Sequence, residues 1–108
     1  MLEQVFINLI KNAREALVGT SNGVITILAE KTENKILVTI TDNGPGMDQQ
    51  TLDNIFIPFY TSKKKGSGIG LSISRQILKQ HNGSIVAQSA VDKGASFAVK
   101  LMGEGSWS

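Results

Sequence analysis

Apolar residues recur at spacings of three and four over residues 2–17, where Leu2, Val5, Phe6, Leu9, Ile10, Ala13, Ala16 and Leu17 form one stripe. That period is the mark of an amphipathic helix. Gly19 and the cluster Thr20-Ser21-Asn22-Gly23 stop it. The pattern then becomes β-type. Residues 24–30 and 36–42 are rich in Val, Ile and Thr, and the polar link Glu33-Asn34-Lys35 predicts an antiparallel hairpin. Asp42-Asn43-Gly44-Pro45-Gly46 is a dense turn signal, and Asp48 can cap a short helix through about residue 55. Residues 56–68 carry no period. A further helix is predicted from 69 to 79 or 80, with Ile69, Ile73, Ile77 and Leu78 as its apolar positions and Asn82-Gly83 as its stop. Strands at 85–89 and 96–102, around the turn Asp92-Lys93-Gly94, complete the pattern. The order α-ββ-α-α-ββ predicts an α+β fold, a two-layer α/β sandwich with helices on one face of a mixed, mainly antiparallel sheet. Residues 1–102 read as one domain and 103–108 as a tail expected to be disordered.

Composition narrows the chemistry. A chain of 108 residues can bury a core without staples. It has no cysteine, which excludes a disulfide scaffold, a thiolate zinc site and a cysteine nucleophile. A single histidine speaks against a His-rich metal site and a Ser/His/Asp hydrolase. The net charge of +2 is too near balance to argue for nucleic acid. No apolar run approaches the roughly 18 residues of a membrane span, and no signal-peptide pattern opens the chain. Glycine is the outlier, with 11 residues, above the roughly 7% of average usage.

Four places depart from a plain core pattern. Asn8 and Asn12 lie four apart inside the first helix, although asparagine is a mediocre helix former. A solvated polar face is one reading; the other is a pair of amides aimed into a cleft, and an amide oxygen is a ligand that Mg²⁺ accepts beside phosphate and water. Asp42 ends a strand and is followed by glycines that permit close backbone approach. It is either an ordinary Asx turn or an acceptor for an amino group such as that of adenine, a charged hydrogen bond of roughly 1.5–3 kcal/mol. Gly66-Ser67-Gly68-Ile69-Gly70-Leu71 opens a helix, where free N–H groups and the helix dipole suit an anion. It is neither a P-loop nor a good dinucleotide fingerprint. Lys63-Lys64-Lys65 is either a solvated loop or a neutraliser of polyphosphate. The irregular stretch around it reads as a lid, with Phe56, Phe59 and Tyr60 anchoring its base. In this order the four describe a nucleotide pocket.

These residues resemble the catalytic ATP-binding domain of bacterial two-component sensor histidine kinases, within the superfamily of gyrase-type topoisomerases, heat-shock chaperones and mismatch-repair ATPases. Residues 4–13, Gln-Val-Phe-Ile-Asn-Leu-Ile-Lys-Asn-Ala, are similar to the family's N box. Asp42-Asn43-Gly44-Pro45-Gly46-Met47 resembles the first glycine box, Phe56-Ile57-Pro58-Phe59-Tyr60 the F box, and residues 66–71 the second glycine box. His81-Asn82-Gly83 and the ending from Gly94 to Phe97 also fit. The resemblance implies a Bergerat-type ATP-binding fold with ATP and Mg²⁺ as cofactors. Asn12 would ligate Mg²⁺ and Asn8 would support that site. Asp42 would bind the adenine amino group, with Gly44 and Gly46 shaping the pocket floor. Gly66, Gly68 and Gly70 would hinge the lid and offer amides to the phosphates, with Leu71 lining the pocket and Lys63 and Lys64 among the candidate phosphate contacts.

The resemblance also implies what the domain does. Hydrolysing branches of the superfamily typically carry a glutamate at the place of Asn8, and an amide cannot be that general base. Transfer of the γ-phosphoryl group to a histidine on a separate dimerisation domain is therefore favoured, with onward passage to a response regulator. A catalytically silent nucleotide sensor and a superfamily ATPase are the alternatives. Two departures stand out: Glu15 where many members have a lysine, with Arg14 or the lid lysines as substitutes, and Ala95 where a threonine is common. His81 is expected to cap and pack, not to accept phosphate. No residue of this chain is expected to serve as general base or phosphoacceptor. The chain is expected to be a catalytic module truncated before the N box, monomeric, unable to autophosphorylate, and without nucleic-acid or direct membrane contacts. Its implied location is the cytoplasm, within a parent that is membrane-anchored in some members.

Overall fold

A computed structural model describes residues 2–58, 60 and 70–102. Helix α1 (Leu2–Ala16) is followed by strands β1 (Ile25–Thr32) and β2 (Lys35–Asp42), helices α2 (Gln49–Asn54) and α3 (Gly70–Gln80), and strands β3 (Ser84–Ser89) and β4 (Ala95–Met102). The four strands form one sheet in the order β1-β2-β4-β3. Every described pairing is antiparallel, so the parallel component of the expected mixed sheet is not among the described residues.

The helices cover one face of this sheet. In the register of β2 against β4, Ile36, Val38, Ile40 and Asp42 stand opposite Leu101, Val99, Phe97 and Ala95. Alternate residues of a strand share a face, and this row joins Val5, Leu9 and Ala13 of α1 and Ile77 and Leu78 of α3 in one buried core. Each Val, Leu, Ile or Phe side chain among them contributes roughly 1.5–3 kcal/mol when fully buried. β1 lies at the sheet edge, and Ile27 and Leu28 on its two faces are 54% and 55% exposed.

The element ends follow local chemistry. The last turn of α1 tightens as Leu17 N–H bonds Arg14 O at 3.2 Å, and Gly19 follows with φ +83°. β1 runs past residue 30 because Thr32 pairs with Lys35, which leaves Glu33-Asn34 as the turn. Asp48 caps α2 as its sequence position implies, accepting the Thr51 N–H at 2.8 Å. That bond holds its carboxyl below the ordinary carboxylate range.

The buried stripe of α3 differs from the expected one. Ile73 is 41% exposed, whereas Ser74 is fully buried with Ile77 and Leu78. Positions 74, 77 and 78 share a helix face, and the hydroxyl is tolerated there because it is hydrogen-bonded.

Candidate nucleotide site

One face of α1 organises the site. Asn8, Asn12 and Ala16 follow at intervals of four and so lie in line along the helix. At 1.5 Å per residue the line is about 12 Å long. The glycine-rich turn after β2 touches its far end, and the start of α3 touches its near end. Asn8 and Asn12 are both half-buried.

At the far end, Asp42 is 4% exposed at the end of β2. Its Oδ1 accepts the Gly44 N–H at 2.9 Å, closing an Asx turn. Among the described residues no fully buried side-chain oxygen lacks a partner. Oδ2, which no hydrogen bond among the described residues engages, therefore keeps some accessible surface and is available as an acceptor. The Asx turn and the ligand acceptor, which the sequence left as alternatives, are compatible in one carboxylate.

The glycines around Asp42 answer first to backbone. A Cβ on Gly44 would lie 2.9 Å from Ala16 O and 3.0 Å from Asp42 Oδ1. Gly46 has φ +74°, and a Cβ there would come within 2.0 Å of Ala90 O. Gly94 has φ +72°, and its Cβ would meet Asp42 O at 2.1 Å. The glycine turn and the β3–β4 turn thus interlock. Asp92 N–H bonds Pro45 O at 2.7 Å, and Ser89 Oγ accepts from Met47 N–H at 2.8 Å while donating to Gly94 O at 2.6 Å. Asn43 ties the turn to the start of β1, accepting from Val24 N–H at 2.7 Å and donating to Asn22 O at 3.0 Å. Ala95 stands opposite Asp42 in the register and is buried, so a methyl occupies this part of the wall.

At the near end, Asn8 Nδ2 donates to Gly70 O at 3.2 Å and to Ser74 Oγ at 3.1 Å. Leu71 is half-buried and packs against the core. Sequence reasoning missed Ser74, because a serine between Ile73 and the apolar residues 77 and 78 looks like a surface position. The one available signal was its i+3, i+4 spacing to Ile77 and Leu78. Phe56 packs against the core, with the Arg75 guanidinium 5.6 Å from its ring centroid. His81 Nδ1 lies 2.9 Å from Ile77 O, a capping contact at the end of α3 as expected. The expected contributions of Phe59, Lys63, Lys64, Lys65, Gly66 and Gly68, and the tail at 103–108, lie outside the described residues.

The chain as a whole is similar to known proteins. The model of the histidine kinase-, DNA gyrase B- and HSP90-like ATPases matches residues 1–104. The chain belongs to this ATPase family. Sporulation kinase C of Bacillus subtilis (strain 168) is 45% identical over 100 residues, a match that covers 93% of this chain and 23% of that protein. The C4-dicarboxylate transport sensor protein DctB of Rhizobium meliloti (strain 1021) is 42% identical over 100 residues, covering 93% of this chain and 16% of the relative. The nucleotide-free catalytic domain of histidine kinase ThkA superposes with a TM-score of 0.79 at 37% identity, covering 93% of this chain and 64% of that one. The chain thus spans less than a quarter of the length of these two relatives.

The residues present fit the nucleotide of this ATPase family. Asp42 carries an acceptor at one end, and α1 carries the half-buried Asn12 between it and Asn8, whose amide is engaged with the start of α3. For Mg²⁺ the donor set is sparse. Among the described residues no three His, Cys, Asp or Glu side chains cluster as a metal cage. An ion held mainly by phosphate oxygens and water, with one amide oxygen from Asn12, matches that donor set.

Proposed function

We propose that this domain binds Mg·ATP and supplies the γ-phosphoryl group to a histidine on a separate dimerisation domain, from which the phosphate passes to a response regulator. The observation that carries the reading is the face of α1 that joins the open oxygen of Asp42 to the first turn of α3. In this reading Asp42 Oδ2 accepts the adenine amino group, with Gly44 and Gly46 forming the floor. Asn12 supplies an amide oxygen to Mg²⁺, whose chemistry when bound is to neutralise charge on the phosphates. Asn8 supports that site. The phosphate end is met by the glycine box that ends at Gly70 and Leu71, with Gly66, Gly68 and the lysines at 63 and 64 assigned to it from their sequence positions.

Phosphoryl transfer asks little covalent chemistry of the protein and much positioning and charge neutralisation. The described site suits that demand. It carries an amide at position 8, which cannot take a proton from water. In this reading the domain is a donor module in a cytoplasmic part of a longer signalling protein, monomeric when isolated and unable to autophosphorylate without its acceptor domain.

Two measurements test this. Mg·ADP at about 100 times its dissociation constant should stabilise the chain by about 2.7 kcal/mol, a rise in melting temperature on the order of 10 °C. With γ-labelled ATP, acid-labile label should reach an added histidine-containing dimerisation domain and not the chain itself. A cooperative melt unmoved by nucleotide would reject the pocket. Steady phosphate release without an acceptor would favour a hydrolase.

A further inference from the structure

Ser74 is fully buried, and its hydroxyl has a defined direction. It donates to Gly70 O at 2.9 Å. Having one proton, it can only accept from Asn8 Nδ2, 3.1 Å away. Asn8 Nδ2 also donates to Gly70 O at 3.2 Å. A carbonyl only accepts, so the orientation of the Asn8 amide follows from its partners. Its Oδ1 faces the exposed end of Gln4, accepting from Nε2 at 3.0 Å. Three groups on two helices therefore close a triangle around the first residue of α3.

We propose that Asn8 and Ser74 form a clamp that fixes the first turn of α3 against α1, with Ser74 as a positioning residue for the phosphate end of the nucleotide. The clamp rests on the nucleotide reading above and refines it. Gly70 itself supplies no such fixation, since a Cβ built on it would sit 3.8 Å from Asn8 Cγ, an ordinary contact. The hydrogen bonds therefore set the distance between the amides of α1 and the start of α3. They also give position 8 a second reason to be an amide. An ionised carboxylate only accepts; in place of Nδ2 it would face Gly70 O and draw the Ser74 hydroxyl away from it. The turn that holds Asp42 meets α1 at Ala16, about 12 Å of helical rise from Asn8, so the base end is independent of the clamp.

The test is a split between two ligands, adenosine and Mg·ADP, titrated onto the chain and onto Ser74→Ala. The variant is expected to melt cooperatively and bind adenosine within twofold of wild type. It should bind Mg·ADP about five- to tenfold more weakly, the loss of about one hydrogen bond's contribution to positioning. Ser74→Cys, close in size and a weak hydrogen-bond partner, should show the same split in smaller measure and serves if the alanine variant does not fold. Equal weakening of both ligands would mean a merely structural serine and would overturn the proposal. So would unchanged Mg·ADP binding in variants of a chain that binds nucleotide. A wild-type chain that binds neither ligand would instead reject the nucleotide reading, and the clamp's role with it.

Discussion

Gly46, in the turn after β2, and Gly70, the first residue of α3, sit at opposite ends of one face of α1, and their surroundings differ. Gly46 has a left-handed backbone, and a Cβ there would drive into Ala90 O. Gly70 begins a helix, and among the described residues Asn8 Cγ is what lies near the place of its missing side chain. The first turn is dictated by the fold: two backbones interlock and leave no room for a side chain. The start of α3 is held by side-chain hydrogen bonds instead, so nothing in the packing of the described residues demands a glycine at 70.

Substitutions should separate the two places. Gly46→Ala should have the largest effect, about 2–5 kcal/mol of destabilisation in a urea melt, from left-handed backbone and overpacking together. That is a large part of the 5–15 kcal/mol typical of a domain. A wild-type melt would mean that the turns around Gly46 and Gly94 do not interlock. Gly44→Ala, with no left-handed backbone but a contact to Ala16 O, should cost about 1–3 kcal/mol. Gly70→Ala should leave the melt within about 0.5 kcal/mol of wild type or raise it slightly, since alanine is the better helix former. Its Mg·ADP affinity should fall severalfold, and loss of stability without loss of affinity would invert the contrast.

The smallest effect concerns the cap of α2, away from both turns. The Thr51 N–H holds the folded-state pKa of Asp48 below that of an ordinary aspartate. Its stabilisation is therefore present above the unfolded pKa and lost as pH falls through the depressed folded one. Asp48→Asn, which also caps, should match wild type at neutral pH and show less decline on acidification, read from melts across the acid range.

Much of this was legible because it is local. The stripe of α1, the Asp48 cap, the helix stop at Asn82-Gly83 and the Asp42 turn each depend on neighbours within a few residues. The family boxes added an order and spacing that no single motif carries. The interlock of Gly46 with Ala90 and Gly94 was hidden because it joins segments more than forty residues apart. Ser74 was hidden for the same reason: its burial requires Asn8, 66 positions away in the chain. The exposure of Ile27 and Leu28 follows from the edge position of β1, which apolar periodicity alone does not reveal.

Asp42→Asn is the decisive variant. An asparagine can keep the Oδ1 acceptor for Gly44 N–H while turning the open oxygen into an NH₂ donor, which faces an adenine amino group donor to donor. Calorimetric titration of Mg·ADP should show binding to the chain and at least a tenfold loss in the variant, with the ligand-free melts alike. Equal affinity in the two would mean that Asp42 does not read the base, and the site would have to be assigned elsewhere.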